Sequence, residues 1–430
     1  LDTPSAGEEE FPHLFGQEVG TFIYNYHPED RMPNFRYLIV GGGMTASAAL
    51  SGIRKLDPDG SIGLISDEPH PPYNRPPLSK GLWKGRPVDR IWRKIDSPGI
   101  EVRLGRKVTT LNIQQKRAID NQRESYGYEK LLLATGGTPK RLPFGGENIN
   151  YFRTLDDYYK LREQAKQTQR FLVIGGGFIG TEITAALAGE KKNVMMVFPE
   201  SGIGANIYPP DVSDFLNNYY REKGVEVYAG ESIVSLEQRD THFVLQTQSG
   251  KVLQADGVVA GLGLKPNTEL AEAVGIKVDN GIVVDEFLLT SQPDIYAAGD
   301  VANFFNPLLG KRRRVEHEDN ANRMGETAGK NMAASILKGE PERYDYLPFF
   351  YSDLFEIGYE AIGELNPSFE IVTDWEEPYK RGVIYYLDGK RVRGVLLWDV
   401  WGEIDAARDL LGKPGPISAQ DLKGRLISQI

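Results

Sequence analysis

The 430-residue chain contains no cysteine. That absence excludes a redox disulfide, a thiol peroxidase, an iron–sulfur centre and a thiolate zinc site. It leaves the redox poise of the compartment open. No apolar run approaches the ~18 residues that a helix needs to cross a bilayer, so no transmembrane segment is expected. Positive charge is short overall. The formal net charge is −10, which disfavours DNA or RNA binding driven by bulk charge. The one dense basic run, Lys311-Arg312-Arg313-Arg314, is read as a solvated loop. Histidine is scarce, five in all, and no metal site is expected. The first residues, Leu1-Asp2-Thr3-Pro4-Ser5-Ala6, resemble neither a signal peptide nor a transit peptide and are read as a processed or trimmed end.

Glycine is abundant instead, with 47 residues, and two glycine-rich turns stand out. Tyr37-Leu38-Ile39-Val40 runs into Gly41-Gly42-Gly43-Met44-Thr45-Ala46. Phe171-Leu172-Val173-Ile174 runs into Gly175-Gly176-Gly177-Phe178-Ile179-Gly180, 134 positions further on. Each follows an apolar strand and opens a helix. Glycines let the backbone turn sharply and approach a pyrophosphate, while the helix start offers unpaired N–H groups and a partial positive charge. Gly41-x-Gly43-x-x-Ala46 carries Ala as its third small residue; Gly175-x-Gly177-x-x-Gly180 is the strict form. A carboxylate for the ribose should follow roughly 20 residues on. Asp67 and Glu200 stand there, each just past a second strand. An acid at Glu200 argues for NAD over NADP, since a 2′-phosphate would meet like charge. Two such turns imply two dinucleotides side by side, and hence electron transfer between them.

The chain is too long for one compact core. We read an α/β protein with two Rossmann-like dinucleotide-binding domains and a C-terminal α+β domain. The expected divisions are an N-terminal arm (1–34) with an aromatic island at Phe22-Ile23-Tyr24-Asn25-Tyr26, a first dinucleotide domain (35–150), a second (151–280), a return to the first (281–344), and the C-terminal domain (345–430). Between the first two strands and the rest of its domain, Pro71-Pro72-Tyr73-Asn74-Arg75-Pro76-Pro77-Leu78-Ser79-Lys80 is stiffened by two Pro-Pro pairs. It either holds Arg75 and Lys80 against a ligand or is a rigid surface loop. Leu132-Leu133-Ala134-Thr135-Gly136 closes the first unit, and Val258-Val259-Ala260-Gly261-Leu262-Gly263 echoes it in the second. Tyr296-Ala297-Ala298-Gly299-Asp300 puts a carboxylate at a strand's C-terminal edge, where open α/β sheets bind ligands. A helical pattern starts near Glu316 and runs to about Leu337. Aromatic alternation from 345 on gives an antiparallel sheet with a hairpin turn at Asp388-Gly389, followed by helices near 403–411 and 418–428.

These residues resemble the flavoprotein reductases of the glutathione-reductase type, the pyridine nucleotide-disulfide oxidoreductases. The two glycine turns, Ala134-Thr135-Gly136 and Tyr296-Ala297-Ala298-Gly299-Asp300 carry that resemblance. Within the family the chain is similar to the branch holding ferredoxin reductases and mitochondrial apoptosis-inducing factors. Arg312-Arg313-Arg314-Val315-Glu316-His317-Glu318-Asp319 and Tyr351-Ser352-Asp353-Leu354 with Gly358-Tyr359-Glu360-Ala361-Ile362-Gly363 favour the latter. The resemblance runs from about residue 36 to the end. It implies FAD on the first domain, NADH on the second and an interface domain at the C-terminus.

Carried onto this chain, the resemblance implies FAD contacts from Gly41, Gly43, Ala46, Asp67, Arg75, Lys80, Val108, Ala134, Thr135, Gly136, Arg153, Asp300, His317 and Tyr351. For NADH it implies Gly175, Gly177, Phe178, Ile179, Gly180, Glu182, Glu200, Gly263 and Glu316. Lys80 would pair with Glu182 and tune hydride acceptance, and His317 would pack at the flavin; these three form the expected catalytic set. On the residues alone, Glu182 also reads as a dipole-favoured surface acid and His317 as a structural histidine. Tyr351 stands where close relatives have Trp. The stretches between Lys84 and Gly99 and between Asn366 and Gly382 lack the longer inserts of the animal proteins.

Three functions follow as expectations. The first is an NADH-dependent FAD oxidoreductase with no cysteine to carry electrons onward. The second is a reductase of a ferredoxin or rubredoxin. The third is a redox-gated binding protein in which NADH reduction gives a slowly oxidising charge-transfer complex, homodimerisation, and support for an import partner in the mitochondrial intermembrane space.

Overall fold

A computed structural model describes residues 33–427 of the chain except Asp96. The arm expected over 1–34 therefore lies outside the described residues but for its last two. The strand Asn34–Val40 is buried from Tyr37 to Val40 and forms the middle of the first sheet. It pairs in parallel with Ile62–Ile65 and with Ser125–Leu133. Ile100–Arg103 extends the sheet on one side. On the other, Ile295–Ala297 returns from far along the chain to pair with Leu131–Leu133. Apolar runs buried on both faces are what a parallel sheet requires. The helix Met44–Leu56 crosses Glu318–Leu337 at close range because glycines face it. A Cβ on Gly325 or Gly329 would run into the carbonyl oxygen of Thr45 or Ala49.

The second sheet repeats the plan. Arg170–Ile174, Asn193–Phe198, Glu226–Ala229 and Gly257–Ala260 are all parallel. Corresponding backbone hydrogen bonds mark the repeat. The N–H of Gly41 donates to the Ile65 carbonyl at 2.8 Å and that of Gly175 to Val197 at 2.9 Å. The closing strands answer in kind, Ala134 to Val40 at 2.9 Å and Gly261 to Ile174 at 2.8 Å. A three-stranded antiparallel meander flanks this sheet. Its last strand, Val252–Ala255, escaped the sequence reading because four residues are too few for a period to register. Gly137–Pro139 and Leu264–Pro266, the exits of the two units, pair antiparallel.

The C-terminal part is a five-stranded antiparallel sheet over Phe349–Trp398, with the helix Ile404–Gly412 against it. Three details correct the sequence reading. The hairpin loop is Gly389-Lys390, both with positive φ, because Asp388 is still paired with Arg391. The terminal helix is one short turn, Ala419–Leu422, ended by Gly424 at φ 67°. Lys311–Arg313 is a short strand rather than a loop, with Lys311 and Arg312 still exposed. Lys311 pairs with Glu364, and Arg312 donates to the carbonyls of Val284 (2.9 Å) and Asn303 (3.0 Å). The helix placed near Glu316 begins at Glu318, with His317 as its N-cap.

Candidate active site

A cavity of about 740 Å³ opens between the two glycine turns. The glycines of each turn do two different jobs. Gly41 (φ 125°) and Gly175 (φ 112°) hold backbone conformations that L side chains avoid, and a Cβ on them would collide with the carbonyls of Ala134 and Gly261. A Cβ on Gly180 would strike the Gly175 carbonyl, and Ala46 is fully buried. Gly43 and Gly177 are different. Both line the cavity with ordinary φ, and a Cβ on either would meet nothing in the protein within 4 Å. Each caps a helix whose first turn has no side-chain cap, so its N–H groups await an acceptor. Backbone left bare beside uncapped helix starts fits a dinucleotide pyrophosphate at each turn.

The first turn's carboxylate, Asp67, lines this cavity, as do Ala134, Thr135 and Gly136. Beside Asp67 stands a residue the sequence did not single out. Glu68 pairs with Arg75 and accepts from the Tyr73 hydroxyl at 2.6 Å, while Arg75 also donates to the Arg153 carbonyl at 3.0 Å. Arg153 in turn reaches the Asp300 carboxylate at 2.7 Å. Val108, expected to meet the adenine through its backbone, and Glu200 are not among the residues that line this cavity. Val108 is buried in the antiparallel extension of the first sheet. Glu200 lies off the cavity wall, its carboxylate approached by the Asn206 amide at 3.5 Å. Gly175, Gly180 and Ala46 sit behind the lining, as packing residues of their turns.

Lys80 and Glu182, 102 positions apart, form an ion pair inside the cavity; their side chains are 13% and 6% exposed. The stiff proline loop delivers Lys80 and the helix Phe178–Gly189 delivers Glu182. Two further donors hold the carboxylate: the Ser79 hydroxyl at 2.6 Å on Oε2 and the Ser352 hydroxyl at 2.5 Å on Oε1. The Lys80 Nζ also lies 5.4 Å from the centroid of the Tyr351 ring, whose hydroxyl donates to Glu318 at 2.8 Å.

Opposite stands His317, its ring stacked on Phe350 at 4.4 Å, with Phe178 edge-on to both. Burial, with the Arg313 guanidinium nearby, pushes His317 down to about 4, so its ring is neutral near pH 7. Arg314 donates to the Asp300 carbonyl (3.0 Å) and to the Glu316 carboxylate (2.5 Å), fixing both at the rim. Phe178, Ile179, Gly263 and Glu316 line the second turn's side. Ser79, Ser352, Glu68 and Phe350 carried no local signal, since each gains its place through contacts distant in sequence. Among the described residues no group of His, Asp and Glu is arranged to hold a metal, and no helix is long and apolar enough to cross a membrane.

Comparison with known proteins agrees with this geometry. Residues 35–325 match the family model for pyridine nucleotide-disulphide oxidoreductases, and 372–413 match that for the C-terminal part of mitochondrion-associated apoptosis-inducing factor. The mitochondrial apoptosis-inducing factor 1 of Dictyostelium discoideum is 35% identical over 420 residues, covering 88% of this chain and 78% of the relative. A peroxisomal monodehydroascorbate reductase 4 of Arabidopsis thaliana is 35% identical over 390 residues, covering 84% and 79%. The solved covalent putidaredoxin reductase–putidaredoxin complex superposes with a TM-score of 0.81 at 30% identity, covering 91% of this chain and 95% of that one.

Proposed function

The chain belongs to the pyridine nucleotide-disulphide oxidoreductase family, as an NAD(P)H-dependent flavoprotein reductase, and on that premise we propose that it oxidises NADH through FAD held at its first glycine turn. The two cofactors, when bound, supply the hydride transfer itself. The chain's own residues bind and orient. Bare backbone at Gly43 and at Gly177 receives the pyrophosphates, Asp67 receives a ribose of FAD, and Asp300 its ribityl chain. The Lys80–Glu182 pair fixes a cation at the flavin end of the cavity. His317, uncharged near pH 7 and stacked on Phe350, supplies a flat, uncharged wall. NADH is preferred to NADPH, because Glu200 follows the second unit's strand and the segment from Pro199 to Asn206 contains no cation.

One observation carries this reading: two uncapped helix starts with open glycines, Gly43 and Gly177, facing a single cavity. Anaerobic NADH titration of the flavin-loaded chain tests it, with bleaching of the yellow colour as the expected result. Size-exclusion of the same samples tests the coupled proposal, taken from the apoptosis-inducing-factor likeness, that reduction gives a slowly reoxidising state and a homodimer or partner complex. A mitochondrial intermembrane location, with an import partner there, belongs to that same likeness.

A second reading, reduction of a small redox protein, gains support from local charge. From Lys80 to Lys94 the chain carries six cations and one acid, Asp89. Lys84 and Arg86 have no side-chain partner among the described residues and line an open pocket with Lys80 and Tyr351, on the flank of the cavity. Rapid, salt-sensitive reduction of an acidic iron–sulfur protein would favour this reading.

A further inference from the structure

We infer that Ser352 is a positioning residue for the Lys80–Glu182 pair, so that the C-terminal sheet completes the cavity built by the two dinucleotide units. The inference rests on the proposed role of that pair at the flavin. Ser352 lies between the two segments matched by family models, 35–325 and 372–413.

The strand Phe349–Leu354 alternates its faces, and its inward side presents Phe350 to His317 and Ser352 to Glu182. Ser352 is fully buried and stands opposite Tyr359 in the antiparallel ladder, so the sheet fixes its backbone independently of the ion pair. Three donors converge on one carboxylate. Lys80 and Ser352 meet Oε1; Ser79 meets Oε2. Ser79 is the chain neighbour of Lys80 and moves with the same loop. Ser352 is the donor from outside that loop, and it anchors Oε1 to the C-terminal sheet while the loop supplies Lys80 to the same oxygen and Ser79 to Oε2. Charge-assisted hydrogen bonds are the strong, directional kind, and a cation is oriented only as well as its counter-ion is held.

The test is a double-substitution cycle in the full flavin-loaded chain: Ser352→Ala, Glu182→Gln and both together. Three quantities are read: the single-turnover rate of flavin bleaching by NADH, the flavin midpoint potential and the affinity for NAD. Ser352→Ala is expected to slow bleaching about tenfold, the factor that follows loss of a hydrogen bond to a charged group. It should move the potential in the same direction as Glu182→Gln, with NAD affinity unchanged. In the double variant the rate should be no lower than in Glu182→Gln alone, since the serine acts through that carboxylate. Ser352→Cys, nearly the same shape with a weaker donor, should fall between Ser352 and Ser352→Ala, and serves if the alanine variant folds poorly. Multiplying effects, or a wild-type rate and potential in Ser352→Ala while Glu182→Gln is slow, would overturn the positioning role and leave the proposed function intact. No effect from Glu182→Gln itself would overturn the positioning role together with the role proposed for the ion pair, and would leave NADH oxidation through bound FAD standing.

Discussion

Gly43 and Gly177 share one backbone conformation, φ −86° and ψ −169° against φ −87° and ψ −169°, each at the N-cap of the helix that follows its turn. Neither conformation demands glycine, and neither site is crowded by protein. A side chain there should therefore spare the fold and obstruct the ligand. Gly43→Val is expected to fold with a melting temperature within a few degrees of wild type yet bind no FAD. Gly177→Val should keep FAD and raise the Kd for NADH at least tenfold. Gly41→Ala makes the contrast: positive φ and collision with the Ala134 carbonyl should cost about 3 kcal/mol or more of stability. Thermal melts alongside flavin content and NADH titration distinguish the three.

Lys80 and Glu182 offer a test in stability. Removing one partner of a buried ion pair leaves an uncompensated charge and costs about 3 kcal/mol or more. The two serine hydroxyls offset part of that for Glu182. Lys80→Met alone should lower denaturant stability by about 2 kcal/mol, whereas Lys80→Met with Glu182→Gln should recover at least half of the loss. Equal losses in the single and double variants would show that the pair is not desolvated as described.

His317 should titrate near 4 in the flavin-free protein rather than at its ordinary 6.5. The groups acting on it are Arg313, which lowers the value, and Asp300, which opposes it. Because its folded value is depressed, the unfolded chain binds the extra proton first as pH falls. The stability associated with neutral His317 is full above about 6.5 and is lost progressively toward 4. His317→Gln should flatten the melting temperature against pH across that window. An NMR titration placing the ring near 6.5 would contradict the burial described for it.

The legible parts of this fold were those encoded by neighbours in sequence. Each glycine turn announces itself because the strand, the sharp turn and the helix start are contiguous. The pairing of Lys80 with Glu182 spans 102 positions and entered the reading only through family likeness. Glu68 had no such help, and Ser352 lay in a stretch that carried the likeness without a role of its own: a serine inside an aromatic strand, and an acid next to the expected Asp67, look ordinary until distant elements meet them. Lys311-Arg312-Arg313-Arg314 is solvated at Lys311 and Arg312, as expected, but its strand and its partners were not legible. Its charge suggested solvent, yet carbonyls at Val284, Asn303 and Asp300 and the carboxylate of Glu364 had been positioned to receive it. Glu200 stands at the expected sequence spacing, its carbonyl accepting from the Gly230 N–H at 2.7 Å and its side chain outside the cavity lining.

Anaerobic addition of NADH to the purified, flavin-loaded chain decides whether the two turns work together. Stoichiometric flavin uptake, prompt loss of the yellow absorbance with NADH, and a much slower loss in Gly177→Val are the expected results. A chain that takes up no FAD, or one whose bound FAD keeps its colour in excess NADH, would contradict the account.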